Sequence, residues 1–358
     1  MSHAVPPCIR CAVQNLQCDE GKPTCGACQG SSDVCSYDWD LTKSYIFDAF
    51  PKQCNYNDRI QPFPEMSNWV GGRFGSMHRV KLKEGGCVAL KALFHNQPQV
   101  GATAYLISLR EAWIWFNVRH PNIVPFLGIA DFRYITYSGL EQVCLISTWM
   151  EEGNIMQYLI RHPKADRIGF LLNAVDALQF LHSCTPPIIH GALKGSNILI
   201  DVRSGHPRAL LTDFGHERAR INYGAEYELQ SPFPPSLAYR WAAFEHCCPS
   251  KFGFTEWEET YTVASDVFEL MRTCLEVLSE RMPYYNVRRD QDAIIKSIRL
   301  INPQRPPDCH PALDDNMWLF LERAWSLVLT DRPDLSEVRV FLQRYQPLDR
   351  EVFADRPS

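Results

Sequence analysis

The chain has 358 residues, 46% hydrophobic and 22% charged, and its 36 basic and 41 acidic side chains leave a formal charge of -5. That length and apolar content exclude a peptide hormone and wholesale disorder. The acidic balance gives non-specific nucleic-acid binding no global charge to draw on. The opening MSHAVPPCIR has neither the basic patch nor the apolar run of a signal peptide. No stretch approaches about 18 apolar residues, so neither a membrane span nor a membrane partner is expected. A cytoplasmic or nuclear protein is the expectation. Cys54, Cys87, Cys144, Cys184, Cys247, Cys248, Cys274 and Cys309 then read as reduced thiols in a core.

Residues 1–40 hold Cys8, Cys11, Cys18, Cys25, Cys28 and Cys35, spaced C-x2-C-x6-C-x6-C-x2-C-x6-C in two near-identical halves. A C-x2-C turn presents two soft thiolates to one ion, and six thiolates satisfy two tetrahedral Zn²⁺ if two of them bridge. So short a segment has little apolar core, and the metal would supply much of its folding energy. The spacing, with KPTCGAC at 22–28, resembles the fungal zinc binuclear cluster, whose modules usually dock a short helix in the DNA major groove. Here the stretch between Cys11 and Cys18 is AVQNLQ, without a positive charge. Between Cys8 and Cys35, Arg10 and Lys22 stand against Asp19, Glu20 and Asp33. Phosphate neutralisation has the wrong sign, and no heptad pattern follows to dimerise the module. A zinc-stabilised knob for protein contact is expected, with nucleic acid not a partner.

Residues 41–65, with Pro51, Pro62 and Pro64, read as a linker or docking arm. From about 66, MHRVKLKEGGCVALKAL reads as two strands joined at Gly85-Gly86. Residues 102–119 read as a helix broken by HPN at 120–122, and IVPFLGIA and VCLISTWM read as strands. FLLNAVDALQFLHS places Leu171, Val175, Leu178 and Leu181 on one helical stripe, stopped by Pro186-Pro187. Residues 262–345 are mostly helical by pattern, and 347–358 form a tail. Strands first and helices afterwards predict an α+β chain with a small sheet lobe and a larger helical lobe.

Several motifs in order make residues 66–346 resemble the protein kinase superfamily, especially the tyrosine-kinase-like kinases of mushroom-forming fungi. VGGRFGSM at 70–77 keeps Gly72 and Gly75 of the glycine loop, with Val70 where the first glycine belongs. The resemblance makes Lys91, in Val88-Ala89-Leu90-Lys91, the ligand of the α/β-phosphates and Glu111 its partner. It makes Ser147 the gatekeeper and Thr148, Trp149 and Met150 the adenine hinge. His190-Gly191-Ala192-Leu193-Lys194-Gly195-Ser196-Asn197 matches the H-G-D-L-K-G-S-N variant of the catalytic loop except at Ala192, where the catalytic aspartate belongs. Asp213-Phe214-Gly215 is intact, so Asp213 and Asn197 are the implied Mg²⁺ ligands. Arg240–Glu245 resembles R-W-M-A-P-E, with Phe244 for proline, and Glu245 is the implied partner of Arg332. Asp266 matches the aspartate that ties the catalytic loop, Met271 stands where glycine is usual, and Trp325 matches a late scaffold tryptophan. Tyr223 and Ser231 are candidate modification sites.

Nothing in the nucleotide set is missing, yet a methyl at Ala192 can neither hold a hydroxyl nor take its proton. The reading is therefore an ATP–Mg-binding pseudokinase or signalling scaffold with a protein client. The alternatives are a weakly active serine/threonine kinase relying on Lys194, and a zinc-cluster transcription regulator carrying a kinase-like domain.

Overall fold

The structure is a computed structural model that describes residues 50–62, 70–72, 75–93, 101–133, 143–214 and 239–346. The described residues divide into two compact units. Those up to Arg119, with Pro125–Trp149, form the first; His120–Val124, with the residues from Met150 on, form the second. No helix among the described residues is long and apolar enough to cross a membrane.

The first unit is built on a five-stranded antiparallel sheet in the order β1-β2-β3-β5-β4. The strands are β1 (Val70–Gly72), β2 (Gly75–Lys81), β3 (Cys87–Leu93), β4 (Phe126–Asp131) and β5 (Val143–Thr148). β2 and β3 are joined as the sequence predicts, with Gly85 and Gly86 at φ 99° and 82°, a region that side chains rarely tolerate. Helix α1 (Gly101–Asn117) ends just before the predicted HPN break. On β3, Val88, Leu90 and Ala92 alternate with Ala89 and Lys91. The first set joins an apolar cluster with Val80, Leu82, Ala130, Phe132, Cys144 and Ile146.

Residues 50–62, read above within a linker or docking arm, are packed onto this sheet. Tyr56 and Ile60 belong to the same apolar cluster. The Tyr56 N–H donates to Ile129 O at 2.9 Å, Gln61 N–H to Lys81 O at 2.9 Å, and Lys83 N–H to Arg59 O at 2.8 Å. Asp131 N–H donates to Asn57 Oδ1 at 2.7 Å. A Cβ at Gly128 would stand 2.0 Å from the Cys54 carbonyl oxygen, so only glycine lets the segment lie this close. The physical reason is coverage: Tyr56 and Ile60 close the apolar face of the sheet, and the two prolines of the segment, Pro51 and Pro62, do not prevent it.

The second unit is helical. It contains α2 (Ile155–Arg161), α3 (Arg167–Ser183), α4 (Phe244–Cys247), α5 (Val263–Ser279), α6 (Asp290–Ile298), α7 (Asp315–Ala324) and α8 (Leu335–Gln343), with a hairpin of β6 (Ile198–Asp201) and β7 (Arg208–Leu211). α2 opens with a reciprocal capping box of Asn154 and Gln157, and side chains of Asp166, Thr262, Asp314 and Asp334 cap α3, α5, α7 and α8. α5 is buried from Ser265 to Ser279. Beside it Arg332 donates to both Glu245 oxygens, at 2.6 and 2.8 Å, in the predicted ion pair. Phe244 and Met271, which replace the usual proline and glycine, are fully buried.

Of the thiols, Cys54, Cys144, Cys247 and Cys274 are buried, while Cys87, Cys184, Cys248 and Cys309 are half-buried, so the core reading holds for four of these. Burial pushes Cys247 and Cys274 up to about 12, which keeps them protonated and inert.

Candidate functional site

In the first unit the Lys91 ammonium lies 2.6 Å from Glu111 Oε1, and both side chains are buried. β3 supplies the lysine and α1 the glutamate. Lys91 sits on the same face of β3 as Ala89, because strand side chains alternate. Ser147, the predicted gatekeeper, is buried on β5 in register with Ala89, and Thr148 is in register with Val88. Gly72 and Gly75 face each other across the β1–β2 turn. The residues between them, 73 and 74, lie outside those described.

In the second unit the loop 190–197 is held by carboxylates from one helix. Asp266 accepts N–H bonds from His190 and Gly191, both at 2.8 Å, and meets His182 Nε2 at 2.7 Å. Glu269 accepts from Leu193 N–H at 3.0 Å, and Glu276 from Gly195 N–H at 2.8 Å and Trp241 Nε1 at 2.8 Å. Positions i, i+3 and i+10 fall on one side of a helix, so α5 aims three acids at one stretch of irregular backbone. Four backbone N–H groups of the loop are thereby tied to one helix. Gly191 takes φ 71°, and a Cβ at Gly195 would meet Met156 Cγ at 2.7 Å and Glu276 Oε2 at 2.9 Å. Burial pushes the Glu276 carboxyl up to about 7, against the lowering pull of Gly195, Trp241 and Lys194.

Of the predicted site residues in this unit, Met150 is buried, and Lys194 is half-buried beside Glu276. Asn197 is fixed by its amide: Nδ2 donates to the Ala192 carbonyl at 2.8 Å, and its N–H donates to Lys194 O at 2.9 Å. Asp213 is held in the left-handed region at φ 61°, a conformation that costs a non-glycine residue roughly 1–3 kcal/mol and collects at functional sites. The donor set suits a magnesium-bound polyphosphate. Asn197 Oδ1 accepts one long bond, from Ser196 Oγ at 3.5 Å, and with the Asp213 carboxylate it is an oxygen donor of the kind a hard cation takes. Ala192 contributes only a methyl. The cysteines Cys8, Cys11, Cys18, Cys25, Cys28 and Cys35 lie outside the described residues, as do Gly215, Tyr223 and Ser231.

Residues 66–342 match the family model for protein tyrosine and serine/threonine kinases. The chain belongs to the protein kinase family. Residues 6–44 also match the fungal Zn(2)-Cys(6) binuclear cluster domain. Similar proteins include the dual specificity protein kinase splA of Dictyostelium discoideum, 24% identical over 82% of the chain and 12% of that protein. The serine/threonine-protein kinase STY17 of Arabidopsis thaliana is 27% identical over 75% of the chain and 41% of that protein. The leucine-rich repeat receptor protein kinase MSP1 of rice is 30% identical over 59% of the chain and 15% of that protein. The chain thus spans less than half the length of each of these relatives.

Sequence reasoning singled out Asp266, but not the loop contacts of Glu269 and Glu276, nor the burial of Arg272. The signal was present: three acids at helical spacing on an otherwise apolar stretch require donors, and an irregular loop has unpaired N–H groups to offer. Arg272 is wholly buried, with its guanidinium 4.5–5.5 Å from the ring centroids of Phe244, Phe268, Tyr284 and Trp325. Its Nη2 donates to Asn302 at 2.9 Å, and burial pulls it down to about 10.

Proposed function

We propose that this kinase-family chain is a pseudokinase: it binds ATP with Mg²⁺ and has lost efficient phosphoryl transfer. One observation carries the reading. In a catalytic loop otherwise held by Asp266, Glu269 and Glu276, position 192 is alanine. Losing a positioned base typically costs roughly 10²–10⁴-fold. The nucleotide set supports binding: Lys91 would hold phosphate oxygens while Glu111 orients it, and Asn197 and Asp213 would hold the metal. Mg²⁺ supplies charge neutralisation for the phosphates. Lys194 favours a second reading, a weakly active serine/threonine kinase, because phosphoryl transfer is loose and depends less on a base than other chemistries.

Six thiolates in the Zn(2)-Cys(6) pattern would hold two zinc ions, and the acidic balance around them supports a protein client over DNA. The functional role that fits is a signalling scaffold for a protein client.

Thermal unfolding with ATP and millimolar magnesium tests the binding claim. Saturation at about 100 times Kd stabilises the folded state by about 2.7 kcal/mol, and Lys91→Met abolishes the effect. An unchanged melting temperature refutes nucleotide binding. Substantial phosphate transfer by the wild type, lost in Lys91→Met, refutes the pseudokinase reading.

A further inference from the structure

Phe50 is 3% exposed and closes an aromatic box. Its ring centroid lies 5.9 Å from Trp113 and 5.6 Å from Phe116, both edge-on, and 6.2 Å from Phe126. Trp113 and Phe116 are on α1, two and five residues beyond Glu111. At 100° per residue they lie about 160° and 140° around the helix from it. Glu111 faces Lys91 on one side of α1 while Phe50 presses on the other. Edge-to-face aromatic pairs add roughly 0.5–1.5 kcal/mol each beyond area burial.

Phe50 is itself anchored. The segment behind it is tied to β4 through Tyr56 N–H to Ile129 O and Asp131 N–H to Asn57 Oδ1, and to the β2–β3 hairpin through Gln61 and Lys83. The ring is therefore a fixed wedge between the sheet's own strap and the back of α1.

We infer that Phe50 is a positioning residue for Glu111. The strap 50–62 holds α1 where Glu111 reaches Lys91. The functional half of this inference rests on the nucleotide-binding reading; the positional half does not.

Hydrogen exchange on the full chain tests it, comparing wild type, Phe50→Ala and Phe50→Leu in segments 101–117 and 263–279. Phe50→Ala speeds exchange in 101–117 by about tenfold or more and leaves 263–279 within about twofold, with Phe50→Leu intermediate. Unchanged exchange in 101–117 overturns the inference. If Phe50→Ala accelerates both segments alike, the comparison is read in Phe50→Leu, where equal acceleration again overturns it. Mg–ATP affinity then separates positioning from plain packing. Phe50→Ala weakens binding about tenfold in the wild type and by less than about twofold in Glu111→Gln, where no pair remains to position. Equal losses in the two backgrounds overturn the inference. Absence of nucleotide binding in the wild type refutes the proposed function and leaves the exchange comparison to decide the positional claim.

Discussion

Restoring the missing carboxylate is the sharpest perturbation of this kinase-family chain. In Ala192→Asp the backbone needs no rearrangement. The residue's N–H already donates to His190 Nδ1 at 3.3 Å and its carbonyl accepts from Asn197 at 2.8 Å, while the flanking N–H groups are held by Asp266 and Glu269. The new side chain has Lys194 two residues on as a counter-charge. A positioned base contributes roughly 10²–10⁴-fold, which is about 3–5 kcal/mol of barrier. Partial desolvation of the carboxylate at this buried position lowers stability by about 1 kcal/mol. The assay is transfer of radiolabelled phosphate from ATP to the chain itself and to a generic protein acceptor, beside Ala192→Asn as an isostere without a base. A rise of at least a hundredfold in the aspartate variant alone is expected. No rise, with folding and ATP binding intact, means that more than the base has been lost. An equal rise in Ala192→Asn means that proton transfer is not what position 192 controls.

Three further outcomes follow from the geometry. Arg332→Ala strands the buried Glu245 carboxylate and costs about 3–5 kcal/mol, read as a fall in the urea midpoint. Glu276 titrates near 7 in the fold against an ordinary 4.5, so between those values the native state binds more protons than the unfolded chain. Stability from this group therefore falls as pH rises through that window, by up to about 3 kcal/mol. Glu276→Gln flattens urea unfolding free energies measured from pH 5 to pH 8, and an unchanged slope rejects the assignment. Metal analysis of the full chain finds two zinc ions per molecule, and Cys8→Ser or Cys25→Ser reduces that number; a zinc-free chain rejects the cluster as a metal site.

The residues that chemistry requires were legible as ordered motifs. Lys91 and Glu111 are 20 residues apart in the chain and 2.6 Å apart in space, and the order glycine pair, lysine, glutamate, loop, Asp-Phe-Gly carried that pairing. Glu245 with Arg332 and Asp266 with the 190–191 backbone were legible for the same reason. Packing without a motif was not. The window 50–62 reads as polar and proline-rich because its apolar residues Phe50, Tyr56 and Ile60 are too sparse to mark an element, and its long-range hydrogen bonds join it to partners 20 to 74 positions away. Arg272 was hidden differently: a cation within an apolar helix is legible only when its aromatic neighbours, drawn from 244 to 325, are known to converge.

The strap also changes what counts as a separable piece of this protein. The family match begins at residue 66, yet the chain that covers Val80, Leu82, Val88 and Leu90 lies upstream of it. A fragment cut at residue 66 would bare that apolar face and leave the β4 edge without its partner, both invitations to self-association. The folded unit therefore begins upstream of the stretch that matches the family model. Any exchange of the front module for another must join ahead of Phe50, with the wedge carried along as part of the kinase rather than of its neighbour.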